Sequence, residues 1–346
     1  MQISNKIEVD LAPTNRGRVF TMVNIRRLQR TGGKEGSSFL IIVPKEWVLR
    51  QSLKKGDPVV VAEREDGCLI IDPRLPKSGE TRSTTVAMES NLRWLITSKY
   101  LLGFDEIRIT SDDIISNVER DAIKRIINRF VALEITDEEE NQIVVQCLVD
   151  PSTLPVHKTM RRMNLIATRM LNDSLTAYFN GDIKLANDIQ QRDEEVDRLF
   201  FLIVRELRLA IQYPRMSETM NITPVAALDF RLAAQYIERI ADLAVDIAAK
   251  TNKPLKKKTI KNLEGIVNKV KEMLAKSVAN LFRFDSGKVD WVIKAEKDLI
   301  EDIAKYRQTI ITESDDETQI QLEVVEGLLR IGEAAKDIVD LALPQD

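Results

Sequence analysis

Two pairs of carboxylates in the C-terminal half of the sequence are the residues best suited to chemistry. Asp193 and Asp197 are four residues apart, and Glu238 and Asp242 repeat this spacing further along the chain. If both segments are helical, each pair lies on one helix face beside an apolar stripe. Like charges at this spacing repel each other, and hard oxygen ligands suit Mg²⁺, Mn²⁺, Ca²⁺ or iron. The spacing therefore predicts a site for a divalent or ferric cation.

The same carboxylates have a second interpretation. They could form a solvated acidic face, or they could pair with the nearby arginines Arg192, Arg198 and Arg239. In that case the acidic residues would stabilise the helices without binding a metal. The sequence alone leaves both interpretations open.

Residue types that most enzymes need are scarce. The chain has one histidine, His157, and two cysteines, Cys68 and Cys147. These cannot supply a four-ligand zinc site of cysteines and histidines or an HExxH metalloprotease motif, and no GxSxG, GxGxxG or GxxxxGK[ST] segment is present. We therefore expect a protein that is not an enzyme, with any metal held mainly by carboxylates. Two cysteines suit a reducing cytoplasm, and no apolar stretch is long enough for a membrane helix, so we expect a cytoplasmic protein without membrane insertion.

The charge is unevenly distributed along the chain. Residues 11–57 contain ten basic and three acidic side chains, a net charge of +7, whereas the whole chain carries −3. A basic segment attached to an acidic body favours an anionic partner, of which nucleic acid is the commonest. A basic face that binds nothing is the alternative.

The basic segment also has a characteristic order of elements. Two β-rich runs are followed by VPKEW, in which Pro44 can open a short helix, by LKKGD with a left-handed stop at Gly56, and by a hairpin around Asp66-Gly67. The stretch GSSFLIIVPKEWVLRQSLKKGDPVVVAEREDGCLIIDP resembles the SpoVT-AbrB family of swapped-hairpin, MazE-like DNA-binding domains. The resemblance implies an intertwined dimer that binds duplex DNA through the first strand and its following loop, here Arg26, Arg27, Arg30 and Lys34. A module that only dimerises is the alternative.

The remaining pattern predicts a multidomain, mainly α protein. We expect residues 1–75 to form the swapped-hairpin β module that the resemblance implies, and residues 76–150 to form a small α/β domain of order β-α-β-α-β-β. Residues 151–346 contain six long helical segments with breaks at residues such as Pro214, so they predict two tandem three-helix bundles.

An internal repeat links the two bundles. RIADLAVDIA at 239–248 aligns with RIGEAAKDIV at 330–339, with five of ten positions identical. Tandem three-helix bundles with a DxxxD helix followed by ERIAD resemble the PhoU phosphate-uptake regulators, whose E(D)xxxD motifs bind clustered metal ions. The resemblance implies a metal site at Asp193, Asp197, Glu238 and Asp242. A second site at Asp298, Asp302, Glu333 and Asp337 fits by spacing, although aligning the apolar stripe places Glu296 and Ile300 at the first two positions.

The combination of a SpoVT-AbrB-like module with a PhoU-like body is similar to archaeal-type phosphate uptake regulators. They imply a homodimeric, DNA-binding transcription regulator of phosphate homeostasis with a metal-binding, PhoU-like sensory body. The alternative is a modulator that does not bind DNA and acts by contact with a phosphate ABC transporter ATPase or its sensor kinase.

Overall fold

A computed structural model of the chain describes residues 6–7, 23–31, 38–63, 67–73, 81–148, 155–310 and 316–342. The chain divides into two compact units, Met1–Ser78 and Gly79–Asp346. Within the described ranges, no helix is both long and apolar enough to cross a membrane.

The first unit consists of short antiparallel strand pairs and one helix. Its elements are β1 (Lys6–Ile7), β2 (Val23–Asn24), β3 (Gln29–Thr31), β4 (Ser38–Leu40), α1 (Lys45–Arg50), β5 (Val60–Glu63) and β6 (Leu69–Asp72). β1 pairs with β2, β3 with β4, and β5 with β6. The described elements follow the predicted order of strands, short helix and hairpin, while the swapped-hairpin assignment stays a prediction.

Two predicted elements of this unit are shorter in the structure. The first of the two predicted β-rich runs, VNIRRLQR at 23–30, is interrupted, because β2 and β3 pair with different partners and residues 25–28 connect them. α1 ends at Arg50 and does not continue to Gly56, because Ser52 adopts a left-handed φ of +54°. Gly56 has the predicted positive φ, +93°, but it lies in a later turn.

The first unit has no apolar core among its described residues. None of its described side chains is buried, and Leu28, Phe39 and Leu69 are each about two thirds exposed, at 66%, 68% and 66%. A chain of this size needs buried apolar surface, or a partner, to fold stably. The exposed face is therefore the kind of surface that a second chain could cover.

The second unit opens with a small α/β part. Its elements are β7 (Ser83–Ala87), α2 (Leu92–Leu101), β8 (Glu106–Thr110), α3 (Asn117–Ile127), β9 (Leu133–Glu138) and β10 (Gln142–Cys147), in the predicted order. The sheet order is β7-β8-β10-β9, with β7 parallel to β8 and the other neighbours antiparallel. Alternation in β8 buries Ile107 and Ile109, and a capping box between Ser116 and Glu119 begins α3.

The helical body follows. Its helices are α4 (Val156–Asn180), α5 (Ile183–Gln212), α6 (Pro214–Met220), α7 (Pro224–Ala248), α8 (Lys257–Phe282), α9 (Ser286–Ile310) and α10 (Asp316–Asp340). Helix α6 was not predicted, because Pro214 was interpreted only as a break, whereas proline at the first helical position opens this short helix.

Two three-helix sets make up this body, which confirms the predicted helical bundles. α4, α5 and α7 pack together, as do α8, α9 and α10, and α7 also contacts α10. One aliphatic core runs through both sets. Gly181 ends α4 with a φ of +67°, and a Cβ there would lie 2.6 Å from the backbone of Lys253, so this turn requires glycine.

α5 also carries the α/β part on a second face. The buried Arg205 guanidinium donates to the carbonyl oxygens of Tyr100 at 2.7 Å and Phe104 at 2.8 Å, and pairs with the Asp105 carboxylate at 2.9 Å. One turn earlier, the Phe201 ring packs against the Phe130 ring, with 5.2 Å between their centroids. These contacts hold the α/β part along α5.

Glu206, the next residue, is a buried carboxyl group. It is 1% exposed, and neither carboxylate oxygen has a hydrogen-bond partner among the described residues. Burial raises its pKa to about 8, although the neighbouring Arg205 charge acts in the opposite direction. Glu206 is therefore protonated in the folded protein at neutral pH.

We expect Glu206→Gln to change the pH dependence of stability. The unfolded chain loses this proton near the ordinary glutamate pKa of 4.5 and the folded chain near 8, so the free energy of unfolding falls as pH rises between them. The decrease is at most about 1.4 kcal/mol per pH unit. Urea unfolding at pH 5 and pH 8 should show Glu206→Gln gaining on the wild type toward pH 8. Glu195→Gln, at a partly exposed position on the same helix, is the control; parallel curves for Glu206→Gln and wild type would contradict this assignment.

Candidate functional site

The predicted carboxylates of the first bundle lie on two packed helices. Apolar stripes drive that packing: Val196 and Ile203 of α5 and Ile237 and Ile240 of α7 are fully buried. The polar edges of the two helices then lie side by side. We call the carboxylates on these edges the acidic cluster: Asp193, Asp197, Glu238, Asp242 and Asp246.

The charges of the acidic cluster act on one another. Desolvation and the charges of Asp197 and Asp242 raise the pKa of Asp193 to about 6. Desolvation, with the charges of Asp242 and Asp197, raises the pKa of Glu238 to about 7. The structure therefore brings the four predicted first-site residues together, and it adds Asp246 to them.

The donor chemistry fits a hard cation, but the coordination geometry is not formed. Asp193 has one buried carboxylate oxygen without a hydrogen-bond partner among the described residues. Glu238 instead accepts a 2.7 Å hydrogen bond from the Gln235 amide. Across the described ranges, no three Asp, Glu, His or Cys side chains converge closely enough to hold one ion. Side chains of the cluster would have to turn to coordinate a metal.

The arginines near the cluster match those that the sequence suggested only in part. The charge of Arg239 favours the ionised form of Asp242, although desolvation raises the pKa of Asp242 overall. Arg192 pairs with Asp173 on α4 and not with the cluster. Arg129, which follows α3, lies with its Nη2 atom 3.8 Å from the Asp197 carboxylate. Arg93 of α2 also favours the ionised form of Asp197 and so lowers its pKa, which desolvation raises overall. Sequence reasoning missed Arg93 and Arg129, because no local pattern connects the α/β part with this bundle.

The suggested second site is not assembled as predicted. Asp302 pairs with Lys269 of α8 at 2.6 Å, and Asp298 is exposed. Glu296 instead faces the α10 carboxylates Glu333 and Asp337. Desolvation raises the pKa of Glu296, and the charges of these two carboxylates raise it further. Glu296 is thus an α9 carboxylate on which the charges of Glu333 and Asp337 act, as the alignment of the apolar stripes indicated.

The candidate DNA-binding residues lie in the first unit. Arg26 and Arg27 are exposed in the segment between β2 and β3, and Arg30 is exposed in β3, opposite Phe39 of β4. Lys34 lies outside the described residues. The described arginines thus share one short stretch of the first unit.

Fold and site together define a helical-bundle protein with a cluster of desolvated carboxylates between two helices of its first bundle. The family described as PhoU domain matches residues 160–251 of this chain, which include nearly all of α4 and the whole of α5 to α7. The acidic cluster lies within the matched residues.

Curated relatives share parts of this sequence. A phosphate-specific transport system accessory protein PhoU homolog of Xylella fastidiosa is 32% identical over 95 residues, 28% of this chain and 37% of that protein. Its Rhizobium meliloti counterpart is 37% identical over 83 residues, 24% of this chain and 32% of its own. The Clostridium acetobutylicum counterpart is 26% identical over 170 residues, 42% of this chain and 74% of its own. The chain thus spans only about a third of the first two relatives.

Among solved structures, PhoU from Pseudomonas aeruginosa aligns with a TM-score of 0.41 and 16% sequence identity. The alignment covers 55% of this chain and 95% of that one.

Proposed function

We propose that the chain is an accessory regulator of phosphate transport that acts by binding and not by catalysis. The observation that carries this proposal is the PhoU domain at residues 160–251. The curated relatives that match the chain bear the name of phosphate-specific transport system accessory proteins. The same residues carry the acidic cluster, so the match coincides with the most unusual electrostatic feature of the body.

The first unit would supply DNA binding and dimerisation, as in archaeal-type regulators of this architecture. Exposed arginines can neutralise phosphates and reach base edges, while the apolar side chains left exposed on the same unit suit a second copy of the chain. The chain would then be a homodimeric transcription regulator of phosphate homeostasis.

The acidic cluster would bind a divalent or ferric cation. Asp193, Asp197, Glu238 and Asp242 would hold it, and its charge would remove their mutual repulsion. The unpartnered buried oxygen of Asp193 supports a missing positive ligand at this point. Mg²⁺, Mn²⁺, Ca²⁺ and iron all suit such oxygen donors.

An exposed apolar stripe on α7 favours the alternative function, in which the chain acts through a protein partner. Val225, Leu228 and Leu232 recur at helical spacing and are 63%, 60% and 47% exposed. Such a stripe would suit contact with a transporter ATPase or a sensor kinase. DNA binding by the whole chain separates the two functions.

Removing charge from the acidic cluster should abolish a metal response. Mn²⁺ at a hundredfold excess over Kd should stabilise the wild type by about 2.7 kcal/mol, and a chelator should reverse this. Asp193→Asn with Asp242→Asn should lose the response and be slightly more stable without metal at pH 7.5, because repulsion and desolvation of charge are relieved. Thermal unfolding measures both effects.

The control for the cluster is Asp290→Asn with Glu301→Gln, which neutralises two exposed carboxylates of α9 outside both suggested sites. It should respond to Mn²⁺ like the wild type. A double variant of the cluster that is less stable without metal and still responds fully to Mn²⁺ would show that these carboxylates are structural.

Four basic residues should carry duplex DNA binding by the full chain. Replacing Arg26, Arg27, Arg30 and Lys34 with Ala should weaken binding to the promoters of phosphate-transport genes. The slope of log Kd against log salt should fall by about one unit for each side chain that no longer neutralises a phosphate. Lys54→Ala with Lys55→Ala, two basic residues of the same unit, is the matched control. Equal binding by wild type and the four-alanine variant would reject the assignment, and no binding by either would favour the alternative function through a protein partner.

The exposed apolar face of the first unit should hold two chains together. The full chain should sediment at micromolar concentration with twice the chain mass of 39.4 kDa. Phe39→Asp should shift it toward the monomer, because a charge on a buried dimer face is costly. Trp94→Asp, at a similarly exposed aromatic residue of the second unit, should leave the mass unchanged. A monomeric wild type, or a Phe39→Asp variant that stays fully dimeric, would contradict this dimer.

A further inference from the structure

The α/β part and the acidic cluster share one helix. Arg205 and Phe201 of α5 hold the α/β part through buried contacts, and Asp193 and Asp197 lie further toward the N-terminus of the same helix. Because α5 is continuous from Ile183 to Gln212, the docked face and the cluster are fixed relative to each other. A change in the contact between the α/β part and Phe201 is therefore close enough to the acidic cluster to affect it.

Arg129 connects the two features directly. Its guanidinium carbon lies 5.9 Å from the Phe201 ring centroid, at the edge of the docking contact, and its Nη2 atom lies 3.8 Å from the Asp197 carboxylate. Arg93 of α2 also lies close enough to act on Asp197. The α/β part thus directs positive charge at a carboxylate that the proposed cation would need.

A guanidinium group and a metal ion compete for such a carboxylate. Both are cations, and two like charges a few ångströms apart in a partly desolvated site repel each other strongly. Two of the predicted metal ligands already have other partners. Asp197 pairs with Arg129, and Glu238 accepts a hydrogen bond from Gln235. Their engagement accords with the absence of a formed coordination group among the described residues.

We propose that Arg129 is a competing cation for Asp197, so that metal binding at the acidic cluster and docking of the α/β part near Arg129 oppose each other. This inference rests on the proposed cation site. Metal bound to Asp197 displaces Arg129, and the end of α3 with the segment after it loosens from α5. In this way, metal binding in the first bundle changes how firmly the α/β part is docked on α5. The coupling is reciprocal, since a docked Arg129 weakens the metal to the same degree.

The competition can be measured as a change in metal affinity. Titration calorimetry of the full chain with Mn²⁺ at pH 8, above the raised pKa values of Asp193 and Glu238, gives Kd for wild type and Arg129→Gln. We expect Arg129→Gln to bind Mn²⁺ about fivefold tighter or more, the usual range for coupled sites. Arg129→Lys, which keeps the charge, should bind like the wild type. Arg125→Gln, at an exposed arginine one turn earlier, should also leave Kd unchanged.

Hydrogen exchange supplies the reciprocal readout. Saturating Mn²⁺ should speed amide exchange at residues 127–131 in the wild type and should have a smaller effect in Arg129→Gln. Mn²⁺ binding with the same Kd in wild type and Arg129→Gln would overturn the competition and leave the metal site intact. Equal tightening in Arg129→Gln and Arg129→Lys would also overturn it, because the effect would then come from altered packing on Phe201. No Mn²⁺ binding by the wild type would overturn the metal site and the competition together.

Discussion

The second unit depends on α5, which must bury two different faces at once. One face, with Val196 and Ile203, enters the bundle core, and the other carries Phe201 and Arg205 into the α/β part. A buried arginine is costly unless it is paired and hydrogen-bonded. Arg205 donates to two backbone carbonyls and pairs with one carboxylate, which come from the end of α2 and the segment after it. This arrangement fixes one orientation of the α/β part, because a sliding contact would leave the charge unpaired.

The α/β part and α5 approach each other closely at Gly103. Gly103 has a φ of +83°, and a Cβ there would lie 2.4 Å from a methyl carbon of Leu209. Glycine both ends the turn after α2 and leaves room for α5. Beside these contacts, Glu206 is buried without a hydrogen-bond partner among the described residues and is held in its neutral form by its environment. The contact is therefore specific through Arg205 and is maintained despite the energetic cost of Glu206.

The sequence predicted the helices well and the electrostatic partners poorly, for a physical reason. Helical apolar spacing and breaks such as Pro214 are local, so the six long helices of the body were predicted correctly. The approach of Asp193 to Asp242 followed from the same spacing, since packed stripes bring their polar edges together. Arg129 could not be found in this way, because its approach to Asp197 depends on how the α/β part docks, which no periodicity encodes. The same limit applies to Asp302, whose partner Lys269 lies on another helix.

The internal repeat allows the carboxylates of the two bundles to be compared, and their partners differ. α7 and α10 are equivalent helices, yet Leu329 stands where α7 has Glu238, and it packs against the core. The remaining carboxylates of α10 have partners from their surroundings, since Asp337 accepts a hydrogen bond from the Tyr236 hydroxyl and Lys336 lies among them. In the first bundle compensating charge comes from Arg129 and Arg93 of the α/β part and from Arg239 of α7. The acidic cluster thus holds four carboxylates with raised pKa values, against Glu296 among the α9 and α10 carboxylates. The α/β part docked beside the cluster is able to respond to whatever neutralises that charge.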